Sequence, residues 1–122
     1  MVTNTFKFKK YINQIGFYAK VTIDVEFESF GTLKFSFDEE MVDEEWNTSL
    51  EFAIKYFFEH YSKTAESGIS VSVKYLHTMT EDSSQMVVVY VLVKSLCEAL
   101  GYNPEKELIY FDDQNGVFII NK

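Results

Sequence analysis

The chain has 122 residues, 47% hydrophobic and 25% charged, the proportions of one folded domain and not of a disordered or repetitive chain. Nineteen Asp plus Glu against eleven Lys plus Arg leave a formal charge of −8, which argues against a broad basic footprint on a phosphate backbone. Aromatic residues make up 17%, enough apolar area for a core without metal or disulfide, and the lone Cys97 permits no internal disulfide.

The opening MVTNTFKFKK has no apolar stretch of the secretory kind, so a reduced, cytoplasmic protein with no membrane contact is expected. Phe6 and Phe8 alternate with Lys7 and Lys9 as in a strand. From Phe17 to Glu28 the alternation is strict: Phe17, Ala19, Val21, Ile23, Val25 and Phe27 face one way, and Tyr18, Lys20, Thr22, Asp24, Glu26 and Glu28 the other. Leu33, Phe35 and Phe37 repeat the pattern, and the turns around Gly16 and Gly31 are short enough for antiparallel hairpins. An acidic segment then leads into a helix whose stripe is Trp46, Leu50, Ala53, Ile54, Phe57, Phe58 and Tyr61. Ile69, Val71, Val73 and Tyr75 read as a fourth strand. Met86 to Val93 suits a buried strand or a buried helix, and its ends decide for a helix. Asp82-Ser83-Ser84-Gln85 offers an N-cap with Gln three residues on, and Gly101 and Pro104 supply the stop. Leu108 to Phe111 and Val117 to Ile120 flank Asn115-Gly116, a strong hairpin signal. The expected fold is α+β, in the order β-β-β-α-β-α-β-β: a single sheet of about four to six strands with two helices on one face, all in one domain, 1–122.

Phosphate-cradling loops, dinucleotide fingerprints, zinc-helix motifs and cysteine pairs are all missing from the sequence, so no nucleotide, cofactor or metal is expected and no catalytic residue stands out. Cys97 lies on an apolar helical stripe, as a small buried hydrophobe does. His60 and His77 stand too isolated to nominate a metal site or a triad, and Asp112, Asp113 and Asn115 fit a turn better than a calcium loop. The densest charge run is Asp38, Glu39, Glu40, Asp43, Glu44 and Glu45. It suits the start of a helix dipole, and as a docking patch it would take a basic partner protein.

Read together, Tyr18-Ala19-Lys20-Val21, the first helix, the strand Val71-Ser72-Val73-Lys74 and the helix start Asp82-Ser83-Ser84-Gln85-Met86 give a pattern that resembles the fourth domain of the ribosomal translocases, the elongation factor G and elongation factor 2 family. The likeness covers a core at 17–101, with a C-terminal hairpin at 107–121 beyond it. It implies the fold of the second domain of ribosomal protein S5 and a non-catalytic binding module that touches ribosome or RNA through a tip of two loops, residues 12–17 and 77–82. The candidate contacts there are Lys10, Asn13, Gln14, His77, Thr78 and Thr80, with Lys7, Lys9, Lys10 and Lys20 supplying the nearby positive charge. The loops depart from the family pattern. The first keeps only Gly16 of a glycine-rich tip, and Met79 stands where the family carries His. The alternative is an acidic inhibitor of the immunity or antitoxin kind that presents Asp38 to Glu45 to a basic protein.

Overall fold

In the computed structural model, which describes residues 1–121, two long strands come first: β1 (Val2–Ile12) and β2 (Ile15–Glu28), paired antiparallel from Val2 opposite Val25 to Ile12 opposite Ile15. Their turn is Asn13-Gln14, both at positive φ (50° and 67°), the twist that a two-residue hairpin demands. The expected turn at Gly16 is therefore displaced: Gly16 lies within β2. A short strand β3 (Leu33–Phe37), the helix α1 (Asn47–Tyr61) and the strand β4 (Gly68–Thr78) follow. The strand order is β1-β2-β4-β3. Ser29–Thr32 is accordingly not a hairpin turn, because β4 inserts between β2 and β3 and runs parallel to β3 from Leu33 opposite Ile69 to Phe37 opposite Val73. The parallel pair needs the crossover that α1 provides.

The Met86 to Val93 segment is helical, inside α2 (Gln85–Leu100), which ends on Gly101 in the left-handed conformation (φ 61°) with the Tyr102 N–H bonded back to Cys97 O at 2.9 Å. Every residue from Val87 to Val93 is buried. Valines of low helix propensity stay helical here because the sheet, α1 and the C-terminal hairpin surround them. Asn4 fixes β1 to this helix through Ser95 Oγ (2.9 Å), so that fully buried hydroxyl is paired. The last strands, β5 (Ile109–Asp112) and β6 (Val117–Ile120), form a separate two-stranded sheet, so the main sheet has four strands. Phe111 and Phe118 of this hairpin pack edge-on against Phe8 and Phe17, with centroids 5.0–6.0 Å apart.

Two details of the strand reading change. β4 carries an extra residue between Val73 and Tyr75, so its core parity shifts: Val73 faces Ile23, then Leu76, not Tyr75, faces Val21 and is buried. The apolar face of β2 ends at Val25, and Phe27 is 64% exposed. Among the described residues, no helix is long and apolar enough to cross a membrane.

Candidate functional site

The Asp82-Ser83-Ser84 segment is where the two loops at one end of the sheet meet, and each of its side chains has a different task. Ser84, not Asp82, caps α2: its Oγ accepts the Val87 N–H at 3.3 Å. Ser83 Oγ accepts the Met79 N–H (2.9 Å) and donates to Tyr18 O (2.6 Å). Asp82 O accepts the Tyr18 N–H at 2.8 Å, and its carboxylate lies where a Cβ on Gly16 would be, 2.4 Å from that position. Any side chain at 16 would push that carboxylate away, which is the reason for glycine here. Residues 79–83 are thus tied to the start of β2 by backbone and side chain together.

A third segment joins them that the sequence did not connect to the tip. The β5–β6 loop reaches the first hairpin, with Gly116 against Phe17 and Ile12. Lys10 is ion-paired with Asp113 and sits 5.7 Å from the Phe111 ring centroid. Lys10 therefore belongs to the helix-bearing side and is already engaged by the hairpin. Asn13 and Gln14 form the exposed turn, Thr80 is exposed and Thr78 half-buried at the end of β4. His77 projects from the opposite, open face of the sheet, where its Nδ1 is hydrogen-bonded to the Tyr18 hydroxyl at 2.8 Å. Tyr18 is buried beneath it, and burial, with Tyr75 adding to it, raises the phenol above its ordinary value. The tip candidates thus divide between a turn, a loop and two faces of one sheet.

On that open face, cross-strand register sets Lys7 opposite Lys20 and Lys20 opposite His77, with Lys9 opposite Tyr18 in the next row. Thr5, Thr22 and Tyr75 make the row on the other side, and the Thr5 and Thr22 hydroxyls are 2.9 Å apart. Among the described residues, Lys7, Lys9 and Lys20 have no ion-pair partner.

The acidic run occupies the connection from β3 to α1, sewn along β4 by Asp38 N–H to Val73 O (3.0 Å) and Leu76 N–H to Met41 O (3.2 Å). Asp38 Oδ1 accepts the N–H groups of Glu40 (2.9 Å) and Met41 (3.0 Å), and Asp43 Oδ1 accepts that of Glu45 (3.1 Å), at the start of a 3₁₀ turn. Two of the six acids are therefore turn and cap residues. Glu39, Glu40, Glu44 and Glu45 are exposed and make no ion pair among the described residues.

Asp112 organises its hairpin through Asn115 (Nδ2 to Oδ2, 2.8 Å) and the Gln114 and Asn115 N–H groups, and these bonds, the Asn115 side chain first, hold its carboxyl below the ordinary value. Among the described residues, no three His, Cys, Asp or Glu side chains gather as metal ligands would. Cys97 lines an open groove of about 560 Å³ at the end of α2, and burial pushes its thiol up to about 11. Such a thiol is a poor nucleophile at neutral pH.

No family model matches the chain, and no curated protein sequence matches it. Among the solved structures, the chain is similar to the Thermus thermophilus protein ttk003000868, with a TM-score of 0.59 and 18% identity over 80% of this chain. The match spans 16% of that longer chain, and at this identity it concerns the fold alone.

Proposed function

We propose that this chain is a non-catalytic, cytoplasmic binding module built like the fourth domain of the elongation factor G and elongation factor 2 translocases, and that it associates with ribosome or RNA. The observation that carries this reading is the junction at Asp82 and Ser83. Asp82 and Ser83, part of the helix start on which the family resemblance draws, fasten the 79–83 loop to the start of β2 by two hydrogen bonds, Ser83 Oγ to Tyr18 O and Tyr18 N–H to Asp82 O, with the Asp82 carboxylate close over Gly16. A preformed tip loses less conformational entropy on docking than free loops do. The Thermus match is compatible, since there the same fold is a segment of a longer chain. Co-sedimentation of the full chain with ribosomes, at about 50 mM and about 200 mM salt, tests the reading, because contacts to phosphate weaken steeply over that interval. Pelleting at the lower salt that falls at the higher is expected, and no pelleting at either would end it.

The second reading, docking of a basic protein, is favoured by Glu39, Glu40, Glu44 and Glu45, four exposed carboxylates without an ion pair among the described residues, on a loop anchored to β4. Capture of a basic protein that is lost on substituting these four by Gln, without ribosome association, would establish it in place of the first.

A further inference from the structure

We propose that the open face of the sheet binds a single-stranded RNA segment along β1 and β2, through Lys7, Lys9 and Lys20, beside the rings of His77 and Tyr75. The proposal deepens the ribosome and RNA reading and rests on it, but assigns the contact to the sheet face and not to the tip turn. Like charges directly opposite each other on paired strands oppose folding, and Lys7 faces Lys20 in this way with no ion-paired carboxylate on either among the described residues. A chain with nineteen acids that leaves three lysines together, with no ion pair among the described residues, has made a local anion site. Its overall charge of −8 does not cancel that site. On the same face of β2, Asp24 lies four residues from Lys20 and Glu26 six, separations of about 13 and about 20 Å at strand rise, against a screening length of about 8 Å at physiological salt.

The nearer acids shape the path. Asp24 is held by the Thr3 hydroxyl at 2.6 Å, and Asp82 closes the tip end over Gly16. The loop with Glu39 and Glu40 runs along the far side of β4. An anionic strand is thereby directed along β1 and β2. Successive lysines on one face of β1 are spaced as alternate strand residues are, which suits an extended backbone. Tyr75 and His77, two residues apart on β4, have rings within 12° of parallel and 6.3 Å between centroids. With the 73% exposed Tyr11 at the tip end, they supply the π surfaces on which bases stack without sequence readout.

The test is fluorescence anisotropy of the full chain with labelled oligouridylate and oligoadenylate at several salt concentrations, using Lys7→Gln with Lys20→Gln as the face variant and Asn13→Ala with Thr80→Ala as the tip variant. Three lysine contacts predict a log–log salt slope near −2 for the wild type, at about −0.7 per phosphate. The face variant is expected to bind at least tenfold more weakly with a slope near −0.7, while the tip variant binds as the wild type does. Relief of the Lys7–Lys20 repulsion leaves the face variant at least as stable as the wild type in a urea titration, so its loss of binding is not a loss of fold. Equal binding by wild type and face variant overturns the inference. So does lysine-dependent binding of polyglutamate as tight as that of RNA, which would indicate an acidic protein partner. A wild type that pellets with ribosomes but binds neither oligonucleotide overturns the face assignment and leaves the ribosome reading standing. One that does neither ends both.

Discussion

Replacing Ser83 by alanine separates the tip from the helix it precedes. The hydroxyl makes two bonds, from the Met79 N–H (2.9 Å) and to Tyr18 O (2.6 Å). The first is exposed, so water replaces Ser83 there at small cost, while the second is part-buried and leaves the Tyr18 carbonyl without that donor. A net bond contributes roughly 0.5–1.5 kcal/mol, and an orphaned buried group costs about 1–3 kcal/mol, so Ser83→Ala should destabilise the fold by roughly 1–2 kcal/mol. Ser84→Ala, one residue on, removes an N-cap and should cost about 1 kcal/mol. Total stability therefore does not distinguish them, but location does. In amide exchange followed by NMR, Ser83→Ala should release the Met79, Asp82 and Tyr18 amides while Val87 stays protected, and Ser84→Ala should do the reverse. Protected Met79 and Asp82 amides in Ser83→Ala, with stability within about 0.5 kcal/mol of wild type, would refute the view that Ser83 fastens the loop.

Gln14 holds φ 67° without being glycine. Gln14→Gly should therefore stabilise the chain by about 1 kcal/mol in urea unfolding, a left-handed conformation costing non-glycine residues roughly 1–2 kcal/mol; no gain would mean that the turn is unstrained. Cys97, with its thiol near 11 against an ordinary 9.0, should react with iodoacetamide at pH near 8 about 100-fold more slowly in the native chain than in the unfolded one. Comparable rates would place that thiol in solvent. The Asp112 carboxyl is depressed below 3.8 in the folded state, so its contribution is present above that value and lost as pH falls through the folded value. Amide protection at Gln114 and Asn115 should accordingly fall on acidification below about pH 4 in the wild type but not in Asp112→Asn, which keeps a neutral acceptor.

The hydrophobic periods located the strands and helices of the main layer, and where caps existed they resolved ambiguity: Ser84 and Gly101 mark as a helix a valine run that propensity would give to a strand. What stayed hidden depends on pairing between distant segments. Nothing local indicates that β4 enters between β2 and β3, since an alternating strand is equally content beside either. The extra residue near Lys74 leaves no local mark either, yet it exchanges Tyr75 for Leu76 in the core. Lys10 looked like a companion of Lys7 and Lys9, but alternation sends it to the other face, where Asp113, distant in sequence, meets it. Gly16 looked like a turn and is a site of close approach by Asp82. The basic row itself is invisible in a chain of this net charge, because Lys7, Lys20 and His77 become neighbours only through the register of three strands.

RNA binding through the open face of the sheet is checked by titrating the ¹⁵N-labelled chain with a single-stranded oligoribonucleotide and mapping the amides that shift. Saturable, salt-sensitive shifts are expected at Lys7, Lys9, Lys20, Tyr75 and His77, with the acidic loop 38–45 unmoved. No shifts at low salt, or shifts confined to residues 38–45 on adding a basic protein, would contradict it.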